Sequence, residues 1–289
     1  MATAIDTPGG VRVWSDATRA RGHTIALVPT MGALHRGHLE LIDAAARRAD
    51  RVVVSIFVNP LQFGEQGDFD NYPRPIDDDL RACEEAGVEV VYAPTVAAMY
   101  PDGFSTTVHV GGLGDTMEGA SRPGHFDGVT TVVAKLFAAT RPHVAVFGEK
   151  DYQQLAIVRR MAQDLDLGVE IIGHRTVREH DGLALSSRNR HLDDEHRRAA
   201  VCIPRAIAAA VEQARSGGSG VDTMVAAATE VIDAEPVAAL DYVCVFDPVT
   251  LRPVHQLTTE RRTPGHVRIA IAARFGDVRL IDNVDPFTD

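Results

Sequence analysis

The sequence predicts an α/β protein whose parallel sheet carries helices on both faces, followed by a smaller α+β domain. Three observations carry this reading. Between residues 25 and 173, short apolar runs alternate with helical patterns, the mark of a parallel sheet with crossover helices. The run at 51–58 (RVVVSIFV) is nearly all β-branched or apolar, as a strand buried on both faces must be. Beyond residue 180, strand patterns follow one another without crossover helices, which indicates a small antiparallel sheet.

In chain order, residues 1–24 form a polar lead-in with a short helix. The first strand covers 25–29, and the helix at 37–49 sets Leu39, Leu41, Ile42 and Ala45 against Arg47 and Arg48. The strand at 51–58 stops at Asn59-Pro60, since proline cannot donate to the ladder. A loop follows at 61–68. Asp77, Asp78 and Asp79 open a helix that ends near 86. Strands are expected at 88–93, 144–148 and 169–173, helices at 129–140 and 152–165, and an edge strand at 106–110. In the second half, Asp193 caps an Ala-rich helix that reaches about 214 and is kinked by Pro204. A Ser/Gly connection at 216–220 leads to a helix at 221–234 and strands at 239–246, 267–275 and 278–282, the last two joined by a Gly276-Asp277 hairpin. The domain boundary is placed at 180/181, giving domains 1–180 and 181–289.

Composition narrows the function classes. The net charge is −11, and no Lys/Arg-rich block is present, so general binding of nucleic acid is disfavoured. No apolar run approaches the ~20 residues that span a bilayer, and residues 1–14 lack the basic and apolar regions of a signal peptide. A cytoplasmic protein with no membrane association is expected. Cys83, Cys202 and Cys244 are far apart and form no C-x-x-C, which suits a reducing compartment and structural roles.

The stretch Val28-Pro-Thr-Met-Gly-Ala-Leu-His-Arg-Gly-His38 joins the first strand to the first helix. His35 and His38 fall close to the helix N-terminus, where unpaired backbone N–H groups and the positive end of the helix dipole gather. Two imidazole donors added there make a site for phosphate oxygens. A surface cap, or half of a metal site, uses the same residues. Asn59 and Gln62 lie just past a strand. Their amides suit a ligand with hydroxyl and carboxylate groups, or simply satisfy the turn. In Phe147-Gly-Glu-Lys-Asp-Tyr-Gln-Gln154, Lys150 can meet a phosphate, Asp151 a ribose hydroxyl or a metal, and Gln154 a second ligand; a solvated helix start is the alternative. Leu185-Ser-Ser-Arg-Asn189 offers two hydroxyls and a guanidinium as a clamp on triphosphate oxygens, or is an ordinary hinge. Asp78 and Asp79 are candidates for holding Mg²⁺, against the reading of acids matched to a helix dipole. Arg122 and His125 sit in a Gly/Pro-rich loop where either could face a ligand. The loops at 29–38, 59–64 and 148–154 all follow strands and could converge beyond their carboxyl ends. No P-loop, H-E-x-x-H, G-x-S-x-G or zinc-spaced cysteine set occurs.

The His-x-Gly-His string resembles the signature of nucleotidyltransferases and class I aminoacyl-tRNA synthetases. Taken in order, Pro-Thr-Met-Gly…His-x-Gly-His, Phe-Val-Asn-Pro-x-Gln-Phe, Gly-Glu-Lys-Asp-x-Gln-Gln and Ser-Ser-Arg-Asn resemble the pantothenate synthetase family over about residues 25–190. The resemblance implies a Rossmann-like sheet and a C-terminal lid. It implies condensation of pantoate with β-alanine through pantoyl adenylate, with ATP as substrate, Mg²⁺, release of AMP and pyrophosphate, and a homodimer. His35, His38, Lys150, Ser186, Ser187 and Arg188 would be catalytic. ATP would lie against Pro29, Thr30, Met31, Gly32, Ala33, Leu34, His35, Arg36, Gly37 and His38, against Gly148, Glu149, Lys150 and Asp151, and against Val177 and Leu185 to Arg188. Met31, Asn59, Gln62 and Gln154 would hold pantoate, with Gln62 also near β-alanine. Two positions depart from the family pattern. Arg36 stands where an acid is more usual, and Leu185 where some relatives have Met. A plain nucleotidyltransferase, a tRNA synthetase-like protein and a non-catalytic module are the competing readings. The acidic charge argues against the second of these, and the substrate-facing glutamines against the first.

Overall fold

The computed structural model describes residues 2–63, 69–217 and 220–288. Residues 64–68 of the expected loop and 218–219 of the expected connection lie outside the described residues. The chain forms two compact units. One comprises Met1–Glu149 and Gln153–Arg175, the other Lys150–Tyr152 and Thr176–Asp289.

The first unit is built on six parallel strands: β1 (Thr3–Ile5), β2 (Ile25–Thr30), β3 (Arg51–Ile56), β4 (Val90–Tyr92), β5 (Val144–Gly148) and β6 (Glu170–His174). Their order is β1-β4-β3-β2-β5-β6. The chain steps outward from β2 to β3 and β4, then returns to the other side of β2 with β5. That reversal makes the space beyond the carboxyl ends of β2 and β5 the topological switch point, where open α/β sheets bind ligands. β2 pairs with β3 as far as Thr30 but with β5 only at Ala26 and Leu27. The strands therefore part beyond Leu27, and Pro29, which has no N–H for a ladder, sits in the parted stretch.

Helices connect these strands: α1 (Pro8–Ala20), α2 (Arg36–Ala46), α3 (Ile76–Glu85), α4 (His125–Thr140) and α5, whose span Tyr152–Asp164 begins in the second unit. Thr7 caps α1 by accepting from the Gly10 N–H, and Pro8 takes the first helical position, where its missing N–H costs nothing. Strand β1 was not expected in the lead-in. It has three residues and one neighbour, β4, too short for any alternation to register. The expected edge strand at 106–110 is absent. The Val108 N–H donates to Thr131 Oγ1 at 2.9 Å and its carbonyl accepts from Thr130 Oγ1, so side chains of α4 take the bonds a ladder would need. α4 starts at His125, earlier than the expected 129, and buries Val129, Val133, Leu136 and Phe137.

In the second unit, three antiparallel strands, β7 (Ala238–Phe246), β8 (Arg268–Phe275) and β9 (Val278–Val284), lie in the order β7-β8-β9. Gly276, at φ +57°, makes the β8–β9 hairpin. α6 (Cys202–Arg215) and α7 (Val221–Asp233) pack on one face of this sheet, with Ile203, Ala206, Met224 and Ile232 against Ile269, Ile271 and Phe275. The single kinked helix expected from 193 to 214 is two helices. Asp193 caps a short one, Asp194–Ala199, and the chain restarts at Cys202. Pro204 cannot donate to the Ala200 carbonyl, so it stands in the first turn of α6 instead. All three cysteines are free thiols. Burial pushes Cys83 and Cys202 up to about 12 and raises Cys244, so they pack rather than react. Among the described residues, no helix is long and apolar enough to cross a membrane.

Candidate active site

The turn after β2 is shaped by backbone strain and held by one buried acid. Gly32 has φ +82° and Ala33 φ +50°, two successive left-handed residues. A Cβ on Gly32 would lie 2.8 Å from Asp79 Oδ2 and 3.0 Å from Ile56 Cγ2, so only glycine fits. Ala33 bears the left-handed penalty of ~1–2 kcal/mol and needs an offset. Asp79 supplies it: Oδ2 accepts from the Ala33 N–H at 2.8 Å and Oδ1 from the Leu34 N–H at 2.7 Å. Asp79 is 2% exposed. Thr30 adds a further brace, since its hydroxyl donates to the Ser55 carbonyl and accepts from the Gly32 N–H.

Asp78 and Asp79, the candidates for Mg²⁺, both have partners within the protein. Both Asp79 oxygens receive backbone N–H groups, and the exposed Asp78 pairs with Arg81 one turn on. Among the described residues, no group of three or more His, Cys, Asp or Glu could hold a metal ion.

The turn delivers His35 as N-cap of α2 and His38 as its third residue, in a reciprocal capping box. His35 Nδ1 accepts from the Gly37 N–H at 3.1 Å, and His38 Nδ1 accepts from the His35 N–H at 3.3 Å. The rings stack at 4.0 Å between centroids. Because both Nδ1 atoms accept, the neutral rings carry their protons on Nε2. Two ring N–H donors thus stand side by side at a helix N-terminus, an arrangement suited to anionic oxygens. Arg36 is exposed at the first helical position.

The loop after β3 is equally committed. Asn59 is 1% exposed, and every polar atom of its amide is engaged. Oδ1 accepts from Tyr100 Oη at 2.8 Å and from the Leu61 N–H, while Nδ2 donates to the Gly128 carbonyl and to Gln62 Oε1. Asn59 therefore holds the loop from within. Gln62 is what it holds. The Gln62 carbonyl accepts from Arg122 Nη2 at 3.0 Å and lies 2.8 Å from His125 Nδ1, and its Nε2 reaches Met31 Sδ. Arg122 and His125, noticed in the sequence only as possible ligand contacts, clamp this backbone. β2 and β3 are adjacent, so the His turn and Gln62 share one end of the sheet.

β5 ends at Gly148, and a single turn, Glu149–Asp151, leads into α5. Lys150 belongs to the second unit with Asp151 and Tyr152, its Nζ 3.9 Å from Asp151 Oδ1. The neighbouring glutamines divide labour. Gln153 is buried and holds the 113–118 segment through Leu113, Thr116 and Glu118, whereas Gln154 is half-buried. Sequence spacing alone does not separate them.

Within the second unit, Val177 and Leu185 come together, for the Leu185 N–H donates to the Val177 carbonyl at 2.9 Å. Gly182, at φ +88°, turns the chain between them. Ser186 caps the short helix Ser187–His191 by accepting from the Arg188 N–H. A polar frame absent from the sequence reading holds this hairpin: Arg178 forks the buried Asp282 at 2.6 and 3.0 Å, Asn189 donates to Glu179, and Arg197 bridges Glu179 and Asp181.

A doubly wound parallel sheet that sets a His-x-Gly-His helix start beside its switch point has the build of an α/β protein suited to binding a phosphorylated ligand. Comparison with known proteins narrows the class. The family model described as pantoate-beta-alanine ligase matches residues 3–285, and the chain belongs to that family. The pantothenate synthetase of Heliobacterium modesticaldum is 51% identical over 271 residues, covering 94% of each chain. That of Mycolicibacterium smegmatis is 51% identical over 278 residues, 96% of this chain and 85% of the other. Among solved structures, a Thermus thermophilus pantothenate synthetase superposes with a TM-score of 0.91 at 45% identity over 100% of both chains. The Francisella tularensis pantoate-beta-alanine ligase, complexed with beta-gamma ATP and beta-alanine, does so with 0.81 at 31% identity, over 100% of this chain and 99% of that one. The protein is a ligase that joins pantoate to β-alanine.

Gly128 gives a direct test of the Gln62 loop. A Cβ there would lie 2.2 Å from the Leu61 carbonyl oxygen and 2.7 Å from the Gln62 N. Gly128→Ala should cost ~1–3 kcal/mol of stability, as overpacking does, and lower activity if the displaced loop serves the reaction. Thermal unfolding and saturation kinetics read the two effects separately.

Proposed function

We propose that the ligation runs in two steps at the carboxyl end of the parallel sheet. The pantoate carboxylate attacks the α-phosphorus of ATP, the bond to the bridging oxygen breaks, and pyrophosphate leaves. The β-alanine amine then attacks the acyl carbon of pantoyl adenylate, loses a proton, and AMP departs. The observation that carries this reading is the capping box of His35 and His38. It leaves the protons of both neutral rings on Nε2, which suits them to stabilise charge as it develops on a departing pyrophosphate. Lys150 pairs with phosphate, Gln62 and Gln154 orient pantoate, Val177 borders the adenine, and Ser186, Ser187 and Arg188 bind the triphosphate. No nucleophilic side chain takes part, so catalysis is positioning and charge stabilisation. Mg²⁺ arrives with the ATP, and the buried Asp79 has no part in holding it.

The second domain acts as a lid, with residues 183–192 gaining hydrogen-exchange protection when ATP and pantoate bind. The chain works as a cytoplasmic homodimer. Product analysis tests the central claim. With Mg·ATP and pantoate, AMP and pantothenate should appear in equal amounts only once β-alanine is added. Pyrophosphate released without AMP turnover would assign a different acceptor, and no consumption of ATP would overturn the adenylation scheme.

A further inference from the structure

Lys150 carries a long side chain with many rotors, so its ammonium is only as well placed as the backbone beneath it. That backbone is anchored from the far end of the sequence. Asn283, on β9 and 4% exposed, donates from Nδ2 to the Lys150 carbonyl at 2.8 Å. Its own amide is oriented by Arg268 on β8, whose Nε donates to Asn283 Oδ1 at 2.9 Å. An amide whose oxygen is taken by a guanidinium must present its NH₂ the other way, here to Lys150. The same Arg268 lays its guanidinium over the Tyr152 ring, 4.0 Å from the centroid, and Phe246 lies 6.1 Å away on the ring's flank.

The register explains why these residues act together. Arg268 stands opposite Phe246, and Asn283 opposite Ala270, two places along from Arg268. All three therefore share one face of the small sheet, the face turned away from the core that Ile269 and Ile271 form with α6 and α7. On that face sits the three-residue segment Lys150–Tyr152, while its flanks Glu149 and Gln153 belong to the other unit.

We infer that Asn283 is a positioning residue for Lys150, acting through the Lys150 carbonyl, with Arg268 fixing the amide that makes the contact. The inference rests on the proposed role of Lys150 on phosphate. It predicts a defect confined to adenylation. In Asn283→Ala, single-turnover pyrophosphate release from Mg·ATP and pantoate should slow roughly ten- to a hundredfold, the range expected when a catalytic group is misplaced by about 1 Å. KM for ATP should move less than about threefold, and aminolysis of supplied pantoyl adenylate should keep its rate. Asn283→Asp retains the volume and the acceptor for Arg268 but removes the donor, so it should show the same defect with thermal stability intact. In a Lys150→Met background, neither variant should slow adenylation further, as two residues acting through one group are not additive. A stable Asn283→Asp with normal adenylation, an equal loss in aminolysis, or an additive loss on Lys150→Met would each overturn the inference. Normal adenylation by Lys150→Met itself would overturn the role of Lys150 and the inference with it. Loss in Lys150→Met but none in Asn283→Asp would overturn the inference alone.

Discussion

His38→Ala should lower the rate of pantoyl adenylate formation by ~10²–10³, the usual cost of losing one preorganised donor to developing charge. The His38 ring serves two ends. Nδ1 accepts from the His35 backbone N–H, and that bond leaves the proton of the neutral ring on Nε2, the donor in the proposed mechanism. Removing the ring also removes half of the capping box, a stability loss of ~0.5–2 kcal/mol. His38→Asn separates the two contributions. Its side-chain oxygen can still accept from the His35 N–H, so thermal stability should recover, while the far donor is absent and adenylation should stay slow. Pyrophosphate release, followed with Mg·ATP and pantoate before β-alanine is added, is the measurement. Normal release by His38→Ala would remove the imidazole pair from the chemistry and return it to the role of a helix cap.

The placement of those two histidines at a helix start was legible because it is local. They stand three residues apart, between an apolar run and a helical pattern, and their partners are each other's backbone. The α/β class was legible for the same reason, since periodicity is a property of neighbours. What escaped the sequence is carried by contacts across long separations. Asp79 serves Ala33 and Leu34, Asn59 serves Gly128, and Asn283 serves Lys150, and nothing periodic marks any of these pairs. Each is a side chain that looks like a ligand-binding group in one dimension. In three, its polar atoms are committed to partners within the protein, as burial demands of any amide or carboxylate. The residues that hold a substrate and those that hold the holders have the same chemistry, and only burial tells them apart. Strand β1 was missed for a different reason. Thr3–Ile5 gains its identity from pairing with Val90–Tyr92, not from its own three residues.

The largest stability effect is expected at one of those holders. Asp79→Ala should destabilise the protein by about 3–6 kcal/mol, two hydrogen bonds to a charged acceptor at ~1.5–3 kcal/mol each. The loss falls on a turn that has little tolerance. Ala33 is held left-handed at φ +50°, and without the carboxylate its buried N–H would have no acceptor to offset that strain. The turn should relax toward ordinary backbone and take His35 out of its capping position, so kcat should fall ~10² along with stability. Asp79→Asn keeps one acceptor oxygen and should lose about half as much, because only one of the two N–H groups can then be satisfied. A metal ligand would behave otherwise. Its loss would leave the melting temperature nearly unchanged and would raise the Mg²⁺ concentration needed for half-maximal rate. Thermal unfolding and a Mg²⁺ titration of Asp79→Asn therefore decide between the two roles. A lowered melting temperature with an unshifted titration is the expected result, because both Asp79 oxygens already face Ala33 and Leu34 and a cation would have to displace them.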